Sequence, residues 1–268
     1  MDFFSEYITP FLLAVLQGVT EFLPVSSSGH LVLLNAAFPV DAGILFDLVL
    51  HLATLVSIVL FYRRDIASIC VGCVREFRTP EKTNLKFVGY LMVATVLTGG
   101  IGLFLNDYVE TYLRNVVVVG CLLIVNAGIL WASRKRGLFG LSTGALNLKT
   151  AVVLGLAQGV AVLPGISRSG STITAALLMG IEPGSCARIS FLLSIPVILG
   201  ALVLHIPDMA NLTVQHGAIV VAAALLAAAV GYFSLLFLDR ILKKANFHHF
   251  APYCVGVGLL AIVLGLVF

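Results

Sequence analysis

Charged side chains are scarce in this sequence: Asp, Glu, Lys and Arg make up 11% of its 268 residues, against 60% that are hydrophobic. A soluble globular domain carries roughly 25% charged residues, so the chain cannot clothe a water-facing surface, and a soluble fold is excluded. A basic leader is lacking too. Asp2 and Glu6 stand where a secretory signal would place Lys or Arg, so the first apolar stretch is expected to stay in the mature protein. The five cysteines, Cys70, Cys73, Cys121, Cys186 and Cys254, are odd in number and scattered. Cys70 and Cys73 have C-x-x-C spacing, but no second pair and no His pair completes a zinc site. They are expected to pack as small apolar residues, and no nucleic-acid partner is expected.

What is abundant is long apolar runs. Read against the ~20 residues that cross hydrocarbon, six qualify: Asp47–Tyr62, Leu85–Leu105, Val116–Ala132, Ile189–Ile206, Val214–Leu238 and Ala251–Phe268. Two further apolar stretches are broken by polar residues. Ile8–Leu23 stops at Pro24 and Ser26-Ser27-Ser28-Gly29-His30, then resumes as Leu31–Phe38. Thr150–Leu163 stops at Pro164-Gly165, passes Ser167-Arg168-Ser169-Gly170, then resumes as Ser171–Gly180. The first arm, at 1.5 Å per residue, gives about 24 Å of helix, short of the ~30 Å hydrocarbon core. Each broken pair is therefore expected to be a re-entrant hairpin, its polar turn buried in protein or lining a wet cavity.

The basic residues orient this arrangement. Arg63, Arg64, Arg75, Arg78, Lys82 and Lys86 fill one loop; Arg134, Lys135, Arg136 and Lys149 a second; Arg240, Lys243 and Lys244 a third, with Arg188 on the same side. That is fourteen of the sixteen Lys and Arg residues. The opposite loops carry Asp41, Asp107, Glu110 and Asp208, with Arg114 alone among them. By the positive-inside rule the basic side is cytoplasmic, which leaves both termini outside. The expectation is one membrane domain over 1–268.

The two broken stretches are copies. Gln17-Gly18-Val19 recurs as Gln158-Gly159-Val160, and the same offset of 141 superimposes Ser26 on Ser167, Ser28 on Ser169, Gly29 on Gly170 and Gly43 on Gly184. Three spans separate the copies, so the second enters from the opposite face. This predicts an all-α integral membrane protein of six transmembrane helices plus two re-entrant hairpins, arranged as inverted-topology repeats over about 8–133 and 149–268. In such folds the discontinuous elements meet near the midplane and form the binding site. The positions that do not match are the informative ones. Glu21 faces Val162, His30 matches Ser171, and Ser27 matches Arg168.

Glu21 and Arg168 are the strongly ionisable residues of the hairpins. A charge at membrane depth costs at least ~2.5–3.5 kcal/mol on insertion scales and so marks a functional site; the plainer reading is an ion pair that ties the hairpins together. Arg168 sits among Ser167, Ser169, Ser171 and Thr172, with Gly165 and Gly170 allowing close backbone approach. Guanidinium, hydroxyls and a helix N-terminus suit a phosphate. His30 is either a capping residue or a group for acid–base or nucleophilic chemistry. Of Ser26, Ser27 and Ser28, at least one is expected to cap a helix. Gln17, one turn before Glu21 on the same face, can orient the carboxylate or share a divalent cation with it. Asp47 is expected to be structural or interfacial, and His51 a packed or pore-lining residue rather than a ligand. His205, His216, His248 and His249 carry no signal.

Together these residues resemble the bacterial undecaprenyl-diphosphatase family, the intramembrane phosphatases of bacitracin resistance. The match runs through Gln17-Gly18-Val19-Thr20-Glu21, Pro24-Val25-Ser26-Ser27-Ser28-Gly29-His30 and Pro164-Gly165-Ile166-Ser167-Arg168-Ser169-Gly170-Ser171-Thr172. The family's first motif opens on Glu or Gln, and here it is Gln17, which counts against a mechanism that needs two carboxylates there. The resemblance implies hydrolysis of undecaprenyl diphosphate to the monophosphate carrier, recycling it for cell-wall synthesis, in a multi-pass protein of the bacterial cytoplasmic membrane. It also implies a site open to the outer face and a divalent cation, Mg²⁺ or Ca²⁺, for which Glu21 and Gln17 are the candidate ligands. The expected catalytic residues are Glu21, Ser27, His30 and Arg168. Gln17, Ser26, Ser167, Ser169, Gly170 and Thr172 are the expected substrate-binding residues. Ser27 is the preferred nucleophile with His30 as acid–base partner; direct attack by His30 is the competing version. The partners implied are the polyprenyl diphosphate and membrane lipids, with a homodimer left open. A lipid-phosphate flippase or anion transporter using the same site is the rival function. A second superfamily of membrane phosphatases is excluded, because its K-x6-R-P motif and its second, Asp-paired His are missing.

Overall fold

The computed structural model describes residues 8–37, 43–134, 146–204, 217–244 and 246–267. Asp41, Lys135, Arg136, Asp208 and both chain ends, each used in the topological reading, lie outside the described residues, as do His205 and His216.

Every described element is helical. In chain order they are α1 (Thr9–Thr20), α2 (Ser27–Ala37), α3 (Gly43–Phe61), α4 (Arg63–Glu76), α5 (Thr83–Tyr108, running into a π-helical turn at Val109–Leu113), α6 (Val116–Ala132), α7 (Leu148–Val160), α8 (Arg168–Leu178), α9 (Pro183–Leu204), α10 (Gly217–Lys243) and α11 (Ala251–Val267), the last preceded by a 3₁₀ turn, Phe247–Phe250. Four helical stretches are long and apolar enough to cross a membrane: Thr83–Tyr108, Pro183–Leu204, Gly217–Lys243 and Phe247–Val267. A fifth is α3 if it is counted with α4, from which it bends by 74°. The protein is thus an all-α, multi-pass membrane protein. Its flanks carry the apolar side chains that hydrocarbon demands: Phe104, Leu225, Leu103, Phe233 and Leu266 are all exposed.

Three local features depart from the apolar-run reading. The basic stretch after Tyr62 is not a loop. Its residues from Arg63 to Glu76 form α4, whose polar and apolar residues segregate at helical spacing, so that Val71 and Val74 stand out from one face. α10 continues past Leu238 through Arg240 to Lys243, because long basic side chains can carry their charge to the interface while their stems stay apolar. Each polar turn is shorter than the break in hydrophobicity suggests. α2 already begins at Ser27 and α8 at Arg168.

Both begin there for the same reason. Ser26 Oγ accepts the Gly29 N–H at 3.2 Å, and Ser167 Oγ accepts the Gly170 N–H at 3.0 Å. These are N-caps that satisfy an otherwise orphaned first-turn donor. Ser26 Oγ also lies 3.3 Å from Ser28 Oγ, as Ser167 Oγ lies 3.1 Å from Ser169 Oγ. The bonds of the first turn recur in the second at the offset of 141.

The helices pack in matched pairs across the two halves. α1 and α3 lie on α10, while α7 and α9 lie on α5. Each broken helix pair is therefore held by a long helix of the other half. α6 runs along α11, where a Cβ on Gly120 would come within 2.7 Å of the Gly258 carbonyl oxygen, the close backbone approach that small residues give membrane helices. Phe22, just past α1, is buried edge-to-face against Phe191 of α9 with ring centroids 5.6 Å apart. The polar turns are thus set into the interior of the bundle.

Candidate active site

The two turns touch. Gly165 has φ +110°, and a Cβ there would come within 2.7 Å of Leu122 Cβ and 2.8 Å of the Val119 carbonyl oxygen. Only glycine fits this turn against α6. Ser26 is the one non-glycine residue with positive φ, at 69°, among the described residues. Its hydroxyl accepts a second N–H, from Gly165 of the other turn, at 3.1 Å. Ser169 Oγ donates back to the Leu23 carbonyl at 3.4 Å. A residue held in a sparsely populated backbone region needs surroundings that over-determine it, and such residues cluster at functional sites.

Across this junction Arg168 is ion-paired to Glu21, its Nη2 donating to Oε1. The other carboxylate oxygen accepts from Ser27 Oγ at 2.8 Å and from Gln17 Nε2 at 3.1 Å. Glu21 is buried, and charge so placed is retained only when paired and hydrogen-bonded. His51 Nε2, from α3, stands 3.7 Å from the same oxygen. His51 Nδ1 lies 2.8 Å from the Asp47 carbonyl oxygen. A carbonyl can only accept, so in the neutral ring Nδ1 carries the proton and Nε2 presents its lone pair.

These groups wall one cavity of about 310 Å³. Its polar end is Thr20, Glu21, Ser26, Ser27, Ser28, His51, Ser167 and Arg168; its apolar end is built by Leu48 and Leu52 of α3 and Val197, Ile198, Ala201 and Leu202 of α9. The N-termini of α2 and α8 both open on the polar end, so two helix dipoles add positive potential beside the guanidinium. The cavity wall therefore combines a guanidinium and two helix N-termini with apolar side chains of α3 and α9.

Residues 10–260 match the family described as bacitracin resistance protein BacA. The chain belongs to that family. It is 36% identical over 277 aligned residues to an undecaprenyl-diphosphatase of Methanosphaera stadtmanae, covering 98% of this chain and 99% of the relative. An undecaprenyl-diphosphatase of Desulforapulum autotrophicum is 38% identical over 268 residues, 96% of this chain and 97% of the relative. One of Oceanobacillus iheyensis is 37% identical over 262 residues, 94% of each.

Of the expected catalytic and substrate-binding residues, Glu21, Ser26, Ser27, Ser167 and Arg168 reach the cavity wall. The others stand behind it. Gln17 is wholly buried against Glu21, and Gly170 caps into Ser167. Ser169 bonds Ser167 and Leu23, while Thr172 bonds the Arg168 carbonyl at 2.8 Å. His30 is not among the cavity-lining residues. Its Nδ1 donates to the Ser26 carbonyl at 2.8 Å, and its Nε2 accepts from the Tyr253 hydroxyl at 2.8 Å. His51, expected from the sequence to be packed or pore-lining, is the imidazole in the wall. Asn126 and Tyr253 carried no sequence signal: each meets its site partner from a distant apolar helix.

For a divalent cation the donor set is thin. Glu21 is the one carboxylate lining the cavity among the described residues, and both its oxygens are engaged. The Gln17 carbonyl oxygen is buried without a partner but is neutral. No three His, Cys, Asp or Glu residues come together among the described residues. Hard cations take several oxygen ligands, carboxylates foremost, and as arranged these residues do not fit a cation held by protein alone.

Proposed function

We propose that this chain hydrolyses undecaprenyl diphosphate to undecaprenyl phosphate and inorganic phosphate, recycling the carrier lipid for cell-wall synthesis. The observation that carries the reading is the three-residue junction of Ser27, Glu21 and Arg168, assembled from two motifs in the wall of a cavity whose other end is apolar. Family membership and undecaprenyl-diphosphatase relatives matched over nearly their whole length support it.

In this reading Arg168 and the N-termini of α2 and α8 hold the non-bridging oxygens of the diphosphate, and the polyprenyl chain leaves along Leu48, Leu52 and α9. Ser27 Oγ attacks the terminal phosphorus and passes its proton to Glu21. The bond to the bridging oxygen breaks, and undecaprenyl phosphate departs. Glu21 gives that first proton up to the departing undecaprenyl phosphate. Water then attacks the phosphoserine and passes a proton to the freed Glu21. Glu21 hands it to Ser27 Oγ as that P–O bond breaks, and inorganic phosphate leaves with Ser27 restored. Glu21 is a base that the sequence reading had reserved for metal or water. Ser27 already donates to it, so no imidazole is needed at that step.

The finer architecture follows from the same features. We read α3, α5, α6, α9, α10 and α11 as six spans, and α1–α2 and α7–α8 as re-entrant hairpins of an inverted repeat. The recurring caps and the cross-half packing support this. The cavity lies near the start of α3 and the end of α9. Those helix ends lead to the loops with Asp41 and Asp208 and without Lys or Arg, which favours a site facing the outer side of the cytoplasmic membrane.

The test is phosphate release from undecaprenyl diphosphate by purified wild type, Arg168→Ala and Glu21→Ala in detergent. Hydrolysis by the wild type and near-complete loss in both folded variants are expected. Full activity in either variant sinks the site assignment. With no second compartment to reach, a pure lipid carrier would release nothing.

A further inference from the structure

Asn126 sits midway along α6, wholly buried, in an otherwise apolar run. Its Nδ2 donates to the Pro24 carbonyl at 3.0 Å, and its Oδ1 accepts the Ser167 N–H at 3.0 Å. Pro24 lies between Glu21 and Ser27, and Ser167 immediately precedes Arg168. One side-chain amide thus ties the backbones of both turns to a helix that belongs to neither.

We propose that Asn126 is a positioning residue, which sets the separation of Glu21 and Ser27 on one turn from Arg168 on the other. The inference rests on the hydrolase reading above. The other cross-links, Ser26 to Gly165 and Ser169 to Leu23, join the turns to each other and move with them. Asn126 alone among these residues refers both to a fixed frame, since α6 is packed along α11. The amide suits the task because it offers a donor and an acceptor in one plane. A leucine of nearly the same volume offers neither, and water is scarce at that depth to replace them. The Ser167 N–H would then lose its acceptor, and the Pro24 carbonyl would keep only the long contact from Cys254 Sγ at 3.8 Å. The turns would shift, and a misplacement of about 1 Å can cost about 10²-fold in rate.

The experiment is the phosphate-release assay in detergent, with kcat and KM determined separately for wild type, Asn126→Leu, Asn126→Asp and Asn115→Ala. Asn115 caps the start of the same helix, accepting from Val117 N–H at 2.9 Å and Val118 N–H at 3.4 Å. Its alanine variant weakens α6 without touching the turns; a lower melting temperature and unchanged kcat are expected. Asn126→Leu is expected to lose about tenfold or more in kcat, with KM within about threefold of wild type. Asn126→Asp gives a readout that a packing role would not move. Neutral, it presents a carbonyl to Ser167 and a hydroxyl to Pro24; ionised, it loses the donor. Its kcat should approach wild type at low pH and fall as pH rises, adding a limb to the profile. Cys254, whose Sγ is 3.5 Å from Asn126 Nδ2, is the titratable side chain in contact. It is present in the wild type also, so the difference between the two profiles belongs to the carboxyl that Asn126→Asp introduces. Should Asn126→Leu fail to fold, that pH profile decides alone. An Asn126→Leu kcat equal to wild type, or an Asn126→Asp profile that superimposes on it, overturns the proposal. A wild type that releases no phosphate overturns the hydrolase reading, and this inference with it.

Discussion

Ser27 Oγ donates to Glu21 Oε2 at 2.8 Å, while Arg168 from the other motif is ion-paired to Oε1 of the same carboxylate. One carboxylate therefore faces both a hydroxyl it can deprotonate and the guanidinium of the other motif. Ser27→Ala leaves the ion pair intact and removes the proposed nucleophile. Phosphate release should fall by about 10² or more with little change in substrate binding. Wild type quenched during turnover with labelled substrate should carry the label on Ser27. Label on His30 would overturn this, since both nitrogens of His30 are hydrogen-bonded to other groups.

Much of this junction was legible in the sequence because ionisable residues stand out against an apolar background. Glu21 and Arg168 are conspicuous where charge is rare, and the offset of 141 shows that their segments are copies. A cap among Ser26, Ser27 and Ser28 was legible too, because Ser at the head of an apolar run satisfies a local donor; the matching cap at Ser167 was not singled out. What was hidden depends on contacts between distant parts of the chain. Asn126 meets Pro24 across 102 positions, and Tyr253 meets His30 across 223. No local pattern announces either. α4 was concealed differently, because its basic residues carried the orientation signal and drew attention from their helical spacing.

His51, which the sequence leaves between packing and pore-lining, is a wall residue. It follows Leu50 and precedes Leu52 in an apolar helix, the usual setting of a packed histidine, yet its Nε2 points at Glu21 and it lines the cavity. Phosphoryl transfer needs a group near the departing oxygen as well as a base at the nucleophile, and an acid–base group typically supplies 10²–10⁴-fold. His51→Ala should lower kcat by about 10² without unfolding the protein, because its side chain is partly open to the cavity. Wild-type kcat in His51→Ala would return the residue to a packing role. Steady-state phosphate release, with a melting curve of the same sample, decides between them.

Glu76 gives a prediction of stability independent of the active site. At the end of α4 its carboxylate accepts the Asn84 N–H at 2.8 Å, the Asn84 side-chain amide at 2.7 Å and the Leu85 N–H at 2.9 Å, satisfying the opening turn of α5. Burial acts to raise the Glu76 pKa. The amides of Asn84 and Leu85, with the nearby Lys82 charge, outweigh it and hold the carboxyl below its ordinary value of 4.5. The folded protein thus releases this proton more readily than the unfolded chain. The stabilisation is therefore complete above the unfolded value and is lost as pH falls through the lower folded one. Glu76→Gln keeps the shape but not the charge. It should melt several degrees below wild type at neutral pH, and the gap should close as pH falls below about 4. Thermal unfolding of both proteins in detergent across that range tests it. A gap that persists undiminished in acid would show that Glu76 holds α4 to α5 by packing rather than by its charge.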